Sequence, residues 1–238
     1  MSSPAALNDV REPASERALD TRESLLDAAE ELFGRRGFEG ASTRAITRAA
    51  GTSLSAVNYH FGSKEGLLRA ILRRRLEPVN RLRLERLDAL EGDPPEGGLP
   101  IESILDAFLR PALEMRAASA DAPTRYRQVA ARLYSDPPEL VSALKRELFG
   151  TIGERFLAAL ARALPDRPLS ELALAWQFTV GVMVHVMAGH LEAVPGSPVD
   201  LEALPDDAIL ERMVAFAAAG LRASAATDES RAPAEAPP

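Results

Sequence analysis

Residues 42–65 read STRAITRAAGTSLSAVNYHFGSKE, and this stretch decides the fold. Two short helical segments, 43–50 and 54–60, flank the pair Gly51-Thr52. Ser42 and Ser53 stand where helix N-caps belong, because a serine hydroxyl can accept from the unpaired N–H groups of a first turn. The spacing from Ala45 and Ile46 through Ala49 and Ala50 to Val57 is that of a helix-turn-helix. Small side chains at Ala49 and Ala50 are expected to let the second helix cross closely. Gly51 supplies the positive φ of the tight turn. Val57 and Phe61 then point inward, and Leu54, Ser55, Asn58, Tyr59 and His60 face outward. A helix presented this way enters the major groove of DNA with its N-terminal residues near base edges.

Around the hairpin lie the residue types that contact phosphates: Arg44, Thr47, Arg48, Tyr59, His60 and Lys64. Lys64 stands in the first turn of the next helix, where the helix dipole favours an acid. A lysine there makes sense opposite a phosphate, with backbone N–H groups aimed at the same anion. The bland alternative is an ordinary helical hairpin with a polar surface.

Working outward, nearly everything between residues 18 and 223 reads helical, rich in Ala, Leu, Arg and Glu and without strand or hairpin patterns. Residues 21–36 carry an apolar stripe of Leu25, Ala28, Ala29, Leu32 and Phe33, closed by Gly37. A long helix starts at Lys64 after the cap Ser63 and runs, kinked at Pro78, to about residue 90. GDPPEGG (92–98) is a loop. Helices follow at 101–118 with a kink at Pro111, at 124–134, and at 136–164, which opens on prolines. The last two are 170–193 and 205–222. The pattern predicts an all-α chain of about nine helices: a tail (1–17), a helix-turn-helix domain (18–72), a second helical domain (73–223) and a second tail (224–238).

The 238 residues carry a net charge of −7, unevenly distributed. Residues 17–86 hold 14 Lys+Arg against 9 Asp+Glu; residues 87–238 hold 13 against 23. A basic front on an acidic body points to nucleic acid as the partner of the front. No cysteine is present, which removes disulfides, thiolate metal sites and thiol nucleophiles. The three histidines leave little room for a metal site, and His185 and His190, five apart, do not share a helix face. They read as core or interface side chains. There is no acid–base pair with triad logic, no phosphate-binding glycine loop and no metal spacing, so no cofactor and no catalysis are expected. Asp206-Asp207, and Asp27 with Glu30-Glu31, read as helix-start and surface carboxylates. No secretory signal is expected at the N-terminus. Residues 172–191 contain no Asp, Glu, Lys or Arg. They suit either a buried helix or a membrane span; the buried helix, in a cytoplasmic protein, is the expectation.

The run LLDAAEELFGRRGFEGAST, followed by ITRAAGTSLSAVNYHFGSKEGLLRAIL, resembles the DNA-binding domain of the tetracycline-repressor (TetR) family of transcriptional regulators over residues 25–71. VNYHFGSKE carries the most specific part of the likeness. The resemblance implies a homodimeric regulator, most simply a repressor, binding a double-stranded palindromic operator and released by a small apolar effector. It implies that Thr43, Arg44 and Arg48 approach phosphates, that Ser53, Leu54, Ser55 and Ala56 face bases, and that Tyr59, His60 and Lys64 clamp the backbone. One departure is Asn58, where the family usually has tyrosine. An asparagine can present its amide to adenine in a bidentate pair.

For the acidic body the resemblance implies dimerisation and a ligand cavity. Helices 170–193 and 205–222 are apolar over most of their circumference. Gly181, Ala188, Gly189, Ala215, Ala217, Ala218, Ala219 and Gly220 are small enough for close helix approach. Phe108, Tyr126, Tyr134, Phe149, Trp176 and Met183 are the candidate effector-pocket residues, and a plain core is the competing reading. One of Arg125, Arg127 and Arg132 could meet an anionic headgroup. Residues 147–190 are similar, more loosely, to the fatty-acid-responsive (PsrA-like) branch, which implies a fatty acid or acyl-CoA effector. A helical carrier or enzyme and an effector-free architectural DNA binder are the other classes.

Overall fold

A computed structural model describes residues 14–117, 138–187 and 204–223. Among these, every regular element is a helix: α1 (Ala14–Gly40), α2 (Thr43–Ala49), α3 (Leu54–Phe61), α4 (Lys64–Gly92), α5 (Ile101–Ala117), α6 (Pro138–Ala163), α7 (Leu169–Met187) and α8 (Asp206–Arg222). The expected helix at 124–134, the end of the expected 170–193 helix, and the tails 1–13 and 224–238 lie outside the described residues. α1 begins at Ala14, earlier than the expected end of the tail at residue 17. The chain divides into two compact units, Met1–Arg74 and Arg75–Pro238.

In the first unit α1, α2 and α3 pack against one another. Leu25, Leu26, Ala29, Ile46, Val57, Leu67 and Ile71 are all at most 1% exposed. Each of the leucine, isoleucine and valine side chains contributes about 1.5–3 kcal/mol by leaving water. α1 changes direction at Gly37, whose φ of 72° and ψ of 173° are non-helical.

Glu30 corrects the reading of a surface carboxylate: it is fully buried. Its partner is Arg74, which also bonds Asp27 at 2.8 Å and Glu23 at 3.2 Å. Burial pulls the Arg74 guanidinium down, but its hydrogen bonds to Glu30 and Asp27, with their charges, more than reverse that and hold it above its ordinary value.

In the second unit α5 packs most extensively on α8, and α6 and α7 complete the layer. Phe108 of α5, Phe156 of α6 and Trp176 of α7 meet with ring centroids 4.3–5.8 Å apart. Ion pairs lie outside that core. Arg155 bonds Asp88 at 2.5 Å and Glu91 at 2.9 Å, and Arg222 of α8 meets Glu102 of α5 at 2.6 Å. Pro78 and Pro111 do not end their helices: α4 and α5 are each assigned as one helix through the proline.

α7 is not buried all round. Leu172, Trp176, Thr179, Met183, Val186 and Met187 face inward, whereas Leu174 is 56% and Phe178 61% exposed. By length and composition α7 is also the one described helix apolar enough to cross a membrane, and 28% of its apolar window is buried. On α8, Phe216 is 65% exposed, while Ala217 and Ala218 are buried in the chain's own core. Those two alanines are therefore used inside the unit; Gly181, Ala215, Ala219 and Gly220 are exposed.

Candidate nucleic-acid interface and effector cavity

The Ser42 hydroxyl accepts from the Ala45 N–H at 3.2 Å and starts α2. Gly51 carries φ 64° between the two helices. Ser53 departs from its expected capping role: its hydroxyl lies 2.8 Å from that of Ser55 and makes no cap bond. Ser63 immediately precedes α4, and its hydroxyl accepts from the Gly66 N–H at 3.0 Å. A hydrogen bond from Ser63 and one from its own backbone N–H hold the Glu65 carboxyl below its ordinary 4.5. Gly66 is dictated by space, since a Cβ there would stand 1.9 Å from the Phe61 carbonyl oxygen. That close approach sets α4 against the end of α3.

Val57 alone of α3 is fully buried. Ser53, Leu54, Ser55, Asn58 and Tyr59 are exposed, Tyr59 by 82%, and Ala56 and His60 are half-buried. The Tyr59 and His60 rings meet edge-on, centroids 4.9 Å apart. Arg44 and Arg48 are exposed and Thr43 is half-buried. Lys64 holds its ammonium 4.3 Å above the Phe38 ring, an attraction that steadies the charge at the start of α4. Between Glu39 and Glu65 the sequence has no carboxylate. Thr47 is a correction: it is buried and its hydroxyl donates to the Arg44 carbonyl at 3.3 Å, so it does not face solvent. Ala49 is another, being exposed rather than packed at the crossing.

In the second unit a cavity of about 580 Å³ lies among α4, α5, α6 and α7. Of the six candidate pocket residues, Phe108, Phe149, Trp176 and Met183 stand in its lining. Tyr126, Tyr134, Arg125, Arg127, Arg132 and His190 lie outside the described residues. His185 is exposed rather than core. The cavity also holds a residue the sequence reading missed, Arg83 of α4, which is 1% exposed. Its Nε donates to the Phe108 carbonyl at 2.8 Å, Nη1 to Asn80 Oδ1 at 3.0 Å and Nη2 to Met183 Sδ at 3.0 Å. The Phe108 ring lies 4.2 Å below the guanidinium. A signal was present: Leu76, Val79, Arg83 and Leu87 recur at helical spacing, which puts Arg83 on the inward stripe.

A short helix, a glycine turn and an outward helix built on one buried valine define a helix-turn-helix protein of the all-α class. Residues 25–71 match the family model described as "Bacterial regulatory proteins, tetR family", and residues 106–220 match "Tetracyclin repressor-like, C-terminal domain". The chain belongs to the tetracycline-repressor family of transcriptional regulators. It is 37% identical over 60 residues to the transcriptional repressor AcnR of Corynebacterium glutamicum, a match covering 25% of this chain and 32% of that one. It is 56% identical over 46 residues to the regulatory protein RaaS of Mycobacterium tuberculosis, covering 19% and 21%. The match thus spans a third or less of the length of these curated relatives. Among solved structures, NalD of Pseudomonas aeruginosa superposes with a TM-score of 0.59 at 21% identity, covering 85% of this chain and 97% of that one. The fatty acid degradation regulator FadR of Bacillus halodurans gives 0.60 at 15% identity, covering 84% and 99%. These two likenesses concern the fold.

Proposed function

We propose that the protein is a cytoplasmic, homodimeric repressor that binds a palindromic duplex operator through α3 and releases it when a small apolar effector fills the cavity of the second unit. The observation that carries the reading is the outward face of α2 and α3. It holds Arg44, Arg48, Asn58 and Tyr59, with Lys64 following at the first residue of α4, in a stretch without a single acid. Cations and hydroxyls on such a face hold phosphates, and short outward side chains at the start of the helix read base edges. In this arrangement Thr43, Arg44, Arg48, Tyr59, His60 and Lys64 grip the backbone, and Ser53, Leu54, Ser55, Ala56 and Asn58 meet bases.

One such unit is small, so tight binding calls for two on a two-fold site. The exposed apolar stripes Leu174-Phe178-Gly181 on α7 and Phe216-Gly220 on α8 supply a surface for a second copy. The effector is an acyl compound, fatty acid or acyl-CoA, on the looser resemblance of residues 147–190.

Selection of bound fragments from random duplex DNA tests the reading. The expected product is a palindrome with half-sites one helical turn, or a multiple, apart. Asn58→Ala is expected to change the preferred base at one position in each half-site. Tyr59→Ala with Lys64→Glu is expected to lower affinity for every sequence and flatten the salt dependence. No enrichment over input DNA would overturn the proposal.

A further inference from the structure

We infer that the second-unit cavity takes an apolar ligand with a free carboxylate, and that Arg83 Nη2 is the group that binds it. The inference rests on the effector reading above and sharpens it: it chooses the acid over its coenzyme A thioester.

The argument begins with charge. A guanidinium keeps its proton in any protein environment, and Arg83 is 1% exposed, so an ion stands in the wall of the cavity. Folding has already stripped this ion of water. A carboxylate arriving beside it must shed only its own hydration, and the attraction acts where water does not screen it.

Geometry selects the arm. Nε and Nη1 are held by oxygen acceptors, the Phe108 carbonyl and Asn80 Oδ1. Asn80 is fixed in turn by donating from Nδ2 to the Leu148 carbonyl at 2.8 Å. These bonds, and the Phe108 ring 4.2 Å from the guanidinium carbon, set the plane of the fork. Nη2 points to the thioether of Met183, 3.0 Å away. A thioether is a weak acceptor, and Met183 is flexible and itself lines the cavity. A carboxylate oxygen in its place gives a charge-assisted bond, roughly twice as strong as a neutral one.

The rest of the wall sets the body of the ligand. Phe108, Phe149, Trp176, Val180 and Leu157 are apolar, the polar members Ser142, Arg146, Glu154 and Gln177 are exposed, and about 580 Å³ is within the range that holds a small organic molecule. A thioester would bring a neutral carbonyl to Arg83 and would have to place a large, charged nucleotide in or beyond a mostly apolar space whose exposed rim carries Glu154 as well as Arg146. A free acid brings its charge to the one buried cation lining the described wall.

Trp176 is the chain's single tryptophan and lies in the wall, so its fluorescence reports occupancy without DNA. The purified full chain is titrated with dodecanoate, methyl dodecanoate, dodecanoyl-CoA and, as an aromatic body, 4-phenylbutanoate with its methyl ester. For at least one body the acid is expected to bind ten-fold or more tighter than its ester, and dodecanoate more tightly than dodecanoyl-CoA. Met183→Leu, which removes the competing sulfur and keeps the volume, is expected to leave acid binding equal or tighter and ester binding unchanged. Arg83→Gln is expected to abolish the preference for acid over ester. Because that variant removes a buried ion and can fail to fold, the acid–ester comparison on the unaltered chain decides independently. Equal or tighter binding of the ester or the thioester, or no saturable response to either acid, would overturn the inference. The titration contains no operator, so its failure leaves the DNA-binding reading standing. Acid binding without operator release would instead keep the site and sink its role in regulation.

Discussion

Gly66 shows how a single hydrogen in place of a methyl positions a site. A Cβ there would stand 1.9 Å from the Phe61 carbonyl oxygen, a backbone atom that cannot swing aside. Gly66→Ala is therefore expected to destabilise the first unit by about 2 kcal/mol, the usual scale for overpacking a tight contact, seen as a lower unfolding midpoint in urea. Gly92→Ala, with nothing within 4 Å of the added Cβ, is the control and is expected to be neutral or mildly stabilising. Features of this local kind were legible in the sequence. The Ser42 cap, the Gly51 turn, inward Val57 and the outward face of α3 all follow from neighbours a few residues apart. Thr47 and Ser53 were not, because a hydroxyl has several nearby partners: Thr47 bonds the Arg44 carbonyl and Ser53 meets Ser55.

At the scale of elements, the pairing of α1 with α4 depends on a buried charge. Glu30 is fully buried and Arg74 answers it across 44 residues of chain. Arg74→Met would leave a carboxylate in the core, and the expected loss is about 3 kcal/mol in a thermal or urea melt. Pairing it with Glu30→Leu removes the stranded charge, and most of the stability is expected to return. A neutral Arg74→Met would show that the pair does not hold the helices together. Sequence reading placed Glu30 on the surface because charge by itself suggests solvent. Its position one turn from Leu26 and Phe33 marks the inward stripe, but its partner is distant in the chain. Arg83 was hidden in the same way, with acceptors 25 and 100 residues away at Phe108 and Met183. Helix number and order were legible because each helix carries its own stops. Pro78 and Pro111 fit that reading, since both helices run on through them as the apolar spacing on either side requires.

For the whole molecule, the proposed assembly depends on apolar surface that a single chain leaves uncovered. A permanent dimer commonly buries 2,000 Å² or more, roughly, and large side chains near its centre dominate the energy. Phe178→Ser with Phe216→Ser removes two of them without touching the cavity wall or α3. The double variant is expected to sediment as a monomer at micromolar concentration, to keep its helical circular dichroism, and to lose affinity for a two-fold site by at least about a hundred-fold. Unchanged sedimentation would place the contact elsewhere.

α3 is anchored in the first unit by Val57 alone among its fully buried side chains. Leu54, Ser55, Asn58 and Tyr59 can each be exchanged with stability shifts on the order of 0.5 kcal/mol. The scaffold is thus indifferent to which letters it carries on that ridge. New recognition can be written there by drift or by design, one position at a time, without first having to rescue the protein from unfolding.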